Sequence, residues 1–395
     1  MTDSVSSLTS RLSTTVKSVP PSGIRKFFDL AANMEGVISL GVGEPDFSTP
    51  WAIREAGVSS LERGRTSYTA NAGLYELREK IATYFERKYH VQYDPETEMI
   101  VTVGASEGLD LAIRSIVDPG DEVIIVEPNF VSYAPLVTLA GGKPIPVKTT
   151  LENRFVPLTE AIEQAITPKT KAVLTSFPNN PTGTVLTAKE SKEICDVIKR
   201  NDLLLISDEI YAELSYDAAH TSMASVDGMR ERTILISGLS KAFAMTGWRM
   251  GYVCAPSVIT QAMLKIHQYA IMCAPSTAQY AALAGFNEGL VEVEEMVETY
   301  KQRRNFFVTS MREIGLDCHQ PGGAFYAFPS IKKTGYGSEE FAQKLLEGEQ
   351  VAVVPGHVFG EGGEGHIRCS YASSMKQLQT AVERIDRFVN RNSKS

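Results

Sequence analysis

From residue 99 to about residue 255 the chain alternates between short, uniformly apolar runs and stretches whose apolar positions recur at helical spacing. MIVTV (99–103), EVIIVE (122–127), AVLTSF (172–177), LLLISD (203–208), TILISG (233–238) and GYVCA (251–255) read as strands. Turn signals such as Asp118-Pro119-Gly120-Asp121 separate them from the helices. A strand that is apolar at every position is covered on both faces, so the pattern predicts an α/β fold with a mostly parallel sheet flanked by helices. After about residue 287 the texture changes. A long helix carries Leu290, Val293, Met296, Val297, Tyr300, Phe307 and Met311. The strands AFYAF, VAVVP and HIRCSYA follow, and a last helix sets Met375, Leu378, Val382, Ile385 and Val389 on one stripe. This region predicts a smaller α+β domain. The expected division is a large domain over residues 47–286 and a small one over residues 1–46 and 287–395.

Sheets of this kind collect ligands beyond the carboxyl ends of their strands, which makes each residue just after a predicted strand a site candidate. The first such turn, Gly104-Ala105-Ser106-Glu107-Gly108, matches the G-x-S-x-G nucleophile elbow. The same geometry makes a phosphate cradle, because free backbone N–H groups and the helix dipole converge there. Glu127-Pro128-Asn129-Phe130 follows the second strand and Pro178-Asn179-Asn180-Pro181-Thr182-Gly183 the third. Asp208-Glu209-Ile210-Tyr211 closes the fourth. Gly238-Leu239-Ser240-Lys241 closes the fifth and runs on to Arg249. Each alone is an ordinary turn, cap or surface lysine. Together they bring a carboxylate, an amide, a phenol, a lysine and an arginine to one sheet edge beside the cradle. Pyridoxal phosphate chemistry needs that set: a lysine for the Schiff base, an acid against the pyridine nitrogen and an anchor for the phosphate.

Composition narrows the reading further. A chain of 395 residues suits two domains. A net charge of −8 leaves no basic stripe for nucleic acid or an anionic membrane. The five cysteines (Cys195, Cys254, Cys273, Cys318, Cys369) are scattered, with no C-x-x-C pair, which fits neither a disulfide framework nor a cysteine zinc site. The six histidines show no H-E-x-x-H spacing, so no metal is expected. No apolar run reaches the ~20 residues of a membrane span. The Ser/Thr-rich first 20 residues lack an apolar signal core and read as a loose arm. A cytoplasmic protein is expected.

N-N-P-T-G, D-E-I-Y and S-K-A-F-A-M-T-G-W-R-M-G, in that order, resemble the class I aminotransferases of the fold-type-I pyridoxal-phosphate enzymes. The resemblance extends to Gly41-Val42-Gly43-Glu44-Pro45-Asp46-Phe47, Ser67-Tyr68-Thr69 and Ile367-Arg368-Cys369-Ser370. It implies that Lys241 carries the cofactor and shuttles the proton at the substrate Cα. Asp208 would keep the pyridine nitrogen protonated, and Asn180 and Tyr211 would bond the ring's 3-oxygen. Phe130 would stack on the ring. Ala105 and Ser106 would offer N–H groups to the phosphate, with Ser240 and Arg249 around it and Tyr68 reaching in from a second subunit of a homodimer. Arg368 would bind the substrate α-carboxylate, helped by backbone near Gly43. The substrates implied are an L-amino acid and a 2-oxo acid, with glutamate and 2-oxoglutarate as one pair.

One branch of aspartate aminotransferases has a lysine where this chain has Ser106, which argues against strict aspartate specificity. Ser22–Phe27, Thr69–Gly73 and Gly323–Tyr326 look most like bacterial N-acetyl-diaminopimelate aminotransferases, and aromatic aminotransferases share parts of the pattern. Arg25 is a candidate for pairing with a remote carboxylate. A β-eliminating C–S lyase on the same fold is the alternative. A serine hydrolase using Ser106 is remote, since no H-G-G oxyanion loop occurs. Gly360-Glu361-Gly362-Gly363-Glu364-Gly365 matches G-x-G-x-x-G but precedes a strand, and reads as a surface turn.

Overall fold

The computed structural model describes residues 8–21, 23, 34–288 and 290–392. Among them, seven strands form one sheet in the spatial order Met99–Val103, Met250–Cys254, Thr233–Gly238, Leu204–Asp208, Thr170–Ser176, Glu122–Glu127, Lys143–Lys148. The neighbours from Thr233–Gly238 to Lys143–Lys148 pair in parallel. Met250–Cys254 runs antiparallel to both of its neighbours. All six predicted strands are present, three at the predicted bounds and three with ends shifted by one or two residues. The seventh, KPIPVK, carries Pro144 and Pro146, which remove ladder donors. It is tolerated because it lies at the sheet edge.

Successive residues of the central strands enter different cores, as the period of a strand requires. Ala172, Leu174 and Ile206 pack with the helix Gly104–Ile116. Val173 and Leu205 pack with Ile194, Val197 and Ile198 of the helix Ala188–Arg200. That second helix starts at a capping box, in which Thr187 and Glu190 satisfy each other's backbone N–H groups. A third core lies under the helices Tyr75–Tyr89 and Ser276–Glu288.

The remaining strands form a three-stranded sheet (Val354–Pro355, Ile367–Ser370, Tyr326–Ala327) and a parallel pair, Ile38–Ser39 with Val351–Ala352. Their core gathers Leu40, Tyr300, Phe307, Phe325, Phe341, Leu378 and Ile385, and draws in Tyr211, Leu214 and Tyr216 from beyond the Asp208 strand. The helices Leu290–Glu313 and Met375–Asn392 follow the predicted stripes. The Gly360–Gly365 segment is not a free surface turn. Gly360 (φ +107°) lies against the Glu127 carboxylate, and Asn129 N–H donates to Phe359 O at 3.0 Å.

The helix Gly104–Ile116 meets the Met250–Cys254 strand at glycines. A Cβ on Gly251 would stand 2.5 Å from Ala105 N, and one on Gly108 would stand 2.9 Å from Val253 Cγ2. Gly251→Ala is expected to destabilise the protein by about 1–3 kcal/mol through overpacking. Gly247→Ala, where a Cβ meets open space, should leave thermal and denaturant midpoints unchanged.

Candidate active site

Eleven of the predicted residues (Gly43, Ala105, Ser106, Phe130, Asn180, Asp208, Tyr211, Ser240, Lys241, Arg249 and Arg368) line one cavity of about 510 Å³. The strand ends deliver most of them. Asp208 is the last residue of its strand, and Ser240 and Lys241 follow the end of the next. Arg368 comes from the other side, on the strand Ile367–Ser370. Tyr68 does not line the cavity and is 80% exposed. Arg25 lies outside the described residues.

Asp208 is buried, and burial pushes its carboxyl up to about 6, against hydrogen bonds that pull it down. Those bonds come from Tyr133 Oη to Oδ2 at 2.6 Å and from Ile210 N–H to Oδ1 at 3.2 Å. Lys241 Nζ donates to Gly43 O at 2.6 Å. Burial, with Arg368 and Arg249 nearby, brings the Lys241 ammonium down to about 8, opposed by Glu44 and Asp208. Tyr211 Oη and Tyr326 Oη are 2.8 Å apart, and burial raises the Tyr211 phenol well above its usual value.

Arg368 is 3% exposed. Its Nη1 donates to Asn180 Oδ1 at 2.9 Å and its Nη2 to Gly41 O at 2.6 Å. The guanidinium lies 4.5 Å from the Tyr326 ring centroid and 5.0 Å from that of Phe359. Its Nε is buried without a partner, and its recorded acceptors, Asn180 and Gly41, are both neutral. A buried cation held only by neutral acceptors and ring faces is unfinished until an anion arrives. With its carbonyl oxygen taken by Arg368, Asn180 keeps its amide N–H₂ as a donor.

At the start of the helix Gly104–Ile116 the residue Val103 offers no side-chain cap, and Glu107 caps only the Val103 N–H, not those of Ala105 and Ser106. Gly104 adopts φ +70°, and a Cβ there would run into the Arg249 guanidinium. Arg249 itself has φ +56°, a strained setting for a non-glycine residue. It is held by Nη1 donating to Thr246 O at 2.9 Å. Free N–H groups, a helix dipole and an arginine therefore converge on one spot beside Ala105 and Ser106.

A model of the class I and II aminotransferases matches residues 35–385. The chain is 60% identical over 384 residues to a putative aminotransferase, YugH, of Bacillus subtilis (97% of this chain, 100% of that protein). It is 45% identical to a probable N-acetyl-LL-diaminopimelate aminotransferase of the same organism (93% of each chain). Among solved structures, the aromatic aminotransferase of Pyrococcus horikoshii superposes with a TM-score of 0.89 at 44% identity, covering 93% of this chain and 99% of that one. The chain belongs to the class I and II aminotransferases. It is a transaminase that uses pyridoxal phosphate. The serine-hydrolase alternative falls with this: the histidine that reaches the Gly104–Gly108 turn, His267, bonds Glu107 and not Ser106.

The cavity fits the aminotransferase cofactor on its own evidence, with a helix start facing Arg249 and a buried acid beside a lysine of lowered pKa. Two lining phenols that bond predicted residues, Tyr133 and Tyr326, were given no role from the sequence. Tyr133 lies three residues past Phe130, so the strand-end rule already pointed to its turn. Tyr326 lies within the quoted Gly323–Tyr326 stretch, but no spacing rule distinguishes its phenol from the core aromatics around it.

In the cofactor-free protein Asp208 makes stability depend on pH. Its folded pKa of about 6 exceeds the ~3.9 of an exposed aspartate. The folded state therefore holds a proton that the unfolded state releases, and stability from this group is lost as pH rises from about 4 to about 6. Tyr133→Phe removes a bond to the ionised form and is expected to extend that loss above pH 6. Unfolding free energies against pH, with Asp208→Asn as the reference lacking the group, check it.

Proposed function

We propose that the enzyme exchanges an amino group between an L-amino acid and a 2-oxo acid, with glutamate and 2-oxoglutarate as one pair. The supporting observation is Arg368, a buried guanidinium bonded only to neutral acceptors on a cavity that also holds Lys241 and Asp208. A substrate α-carboxylate supplies the missing anion in a charge-assisted bond.

The residues divide the work as follows. Pyridoxal phosphate supplies the electron sink for the carbanion at the substrate Cα. Lys241 holds the cofactor, and its amine moves the proton at Cα. A pKa near 8 leaves a useful fraction of that amine as free base at neutral pH. Asp208 holds the proton on the pyridine nitrogen, and Tyr133 orients Asp208. The Asn180 amide and the Tyr211 phenol would hydrogen-bond the ring's 3-oxygen, and Phe130 would stack on the ring. Ala105, Ser106, Ser240 and Arg249 bind the phosphate. Tyr68 reaches the same phosphate from the second subunit of a homodimer. In support, its loop is tied by Asn71 Nδ2 (2.7 Å to Met272 O) and Ser276 Oγ (2.7 Å to Ser67 O) to a surface where Tyr269, Ile271 and Met272 stand exposed. Residues 1–46 and 287–395 form the unit that closes over residues 47–286, bringing Arg368 onto the substrate.

The described cavity lining contains three cations, Lys241, Arg249 and Arg368, and each already has a role. The rest of the lining includes the apolar Val42, Leu109 and Ile210, the phenol of Tyr326 and one further carboxylate, Glu44. A distal carboxylate therefore needs a reader from elsewhere, and Arg25 is the candidate.

Arg368→Lys, which keeps the charge but loses the fork, should lower kcat/KM for every donor by about 10- to 100-fold, the equivalent of ~1.5–3 kcal/mol of charged hydrogen bonding. Arg25→Ala should lower kcat/KM for L-glutamate, L-aspartate and N-acetyl-diaminopimelate while sparing L-phenylalanine. Chromatographic assay of the amino-acid product measures both. Release of ammonia and pyruvate in place of a transferred amino group would favour the C–S lyase. Equal loss for acidic and aromatic donors would remove Arg25 from specificity.

A further inference from the structure

A pair made of the buried His267 and the partly buried Glu107 stands against the first turn of the phosphate cradle, and the roles above do not use it. His267 is fully buried near the end of the helix Ser257–Ala270, which packs along the helix Gly104–Ile116. Its Nδ1 lies 2.6 Å from Glu107 Oε1. Glu107 Oε2 accepts the backbone N–H of Val103 at 2.5 Å. His267 Nε2 is buried with no protein partner. A proton on Nε2 would be an orphaned donor, so the ring carries its proton on Nδ1 and donates it to the carboxylate.

The position of Glu107 makes this pairing consequential. An acidic side chain in the first turn of a helix is itself a ligand for the free N–H groups at that end. Glu107 directly follows Ser106, and it already caps the N–H of Val103, the residue that opens the helix. The cradle therefore contains an anion of its own that can turn back onto the phosphate's donors and repel a dianion from them. The two observed bonds prevent this by committing one carboxylate oxygen to His267 and the other to Val103. We propose that His267 is a positioning residue that keeps Glu107 off the N–H groups of Ala105 and Ser106, leaving them open for the cofactor's phosphate. This rests on the reading that the phosphate binds at Ala105 and Ser106.

Full-length enzyme freed of cofactor, dialysed to equilibrium against pyridoxal phosphate and separately against pyridoxal, tests it. His267→Ala is expected to weaken pyridoxal phosphate binding at least tenfold and to leave pyridoxal binding within twofold of the native protein. His267→Asn, whose amide places a donor near Nδ1, should retain most of the affinity. The double variant Glu107→Ala/His267→Ala should return to within about threefold of the native value, because the competing carboxylate is gone. A His267→Ala protein that loses both ligands equally would show general damage and overturn the proposal, as would one that loses neither. A double variant as weak as His267→Ala alone would overturn the competition between Glu107 and phosphate. If the native enzyme itself binds pyridoxal as tightly as pyridoxal phosphate, the phosphate site at Ala105 and Ser106 is wrong and the proposal falls with it.

Discussion

The backbone of Gly104 and Ala105 lies so close to Gly251 that no side chain fits between them, and the rest of the site is arranged around that contact. It seats the start of a 13-residue helix directly on the Met250–Cys254 strand. That strand runs antiparallel to both neighbours, so its entry, and not its exit, lies at the edge where the parallel strands end. Arg249, the residue just before the strand, thus arrives beside Gly104, while Asp208 and Lys241 arrive from strand exits. One reversed strand brings an arginine to an edge that otherwise collects only residues following parallel strands.

Burial then sets the chemistry of what has been gathered. The same desolvation raises the Asp208 carboxyl to about 6 and lowers the Lys241 ammonium to about 8, which brings the lysine toward the pH range where an amine transfers a proton efficiently. Tyr133 counteracts part of the shift at Asp208, so the acid is tuned between its hydrogen bonds and its dry setting. Arg368 has no comparable counterweight. It rests on two neutral acceptors and two aromatic faces. The site is electrostatically complete only with an anion in place, a requirement that a substrate carboxylate meets in either direction of the reaction.

Much of this was legible in the sequence because the relevant groups follow apolar runs at short, fixed distances. The strands, their mostly parallel arrangement and Asp208, Lys241 and Asn180 at the sheet edge all follow from strand positions and the rule for where such sheets bind. The edge strand Lys143–Lys148 was hidden by two prolines that would be excluded from an interior strand. Partners separated by long stretches of chain were not legible at all. Tyr211 and Tyr326 are 115 residues apart, and Glu107 and His267 are 160 apart. No local pattern marks such pairs, and only packing brings them together. The Gly360–Gly365 motif shows the converse. Its spacing imitates a nucleotide loop, whereas its glycines allow close approach to Glu127 (Gly360, Gly362), Gly356 (Gly363) and Lys332 (Gly365).

The absorption spectrum of the purified enzyme, recorded before and after L-glutamate and again after 2-oxoglutarate, addresses the central claim most directly. A visible band that disappears with the amino acid and returns with the oxo acid is the expected result. It would show that the constellation around Lys241, Asp208 and Arg368 accepts an amino group and passes it on. A band that persists while pyruvate and ammonia appear, or a colourless protein that pyridoxal phosphate cannot restore, would contradict it.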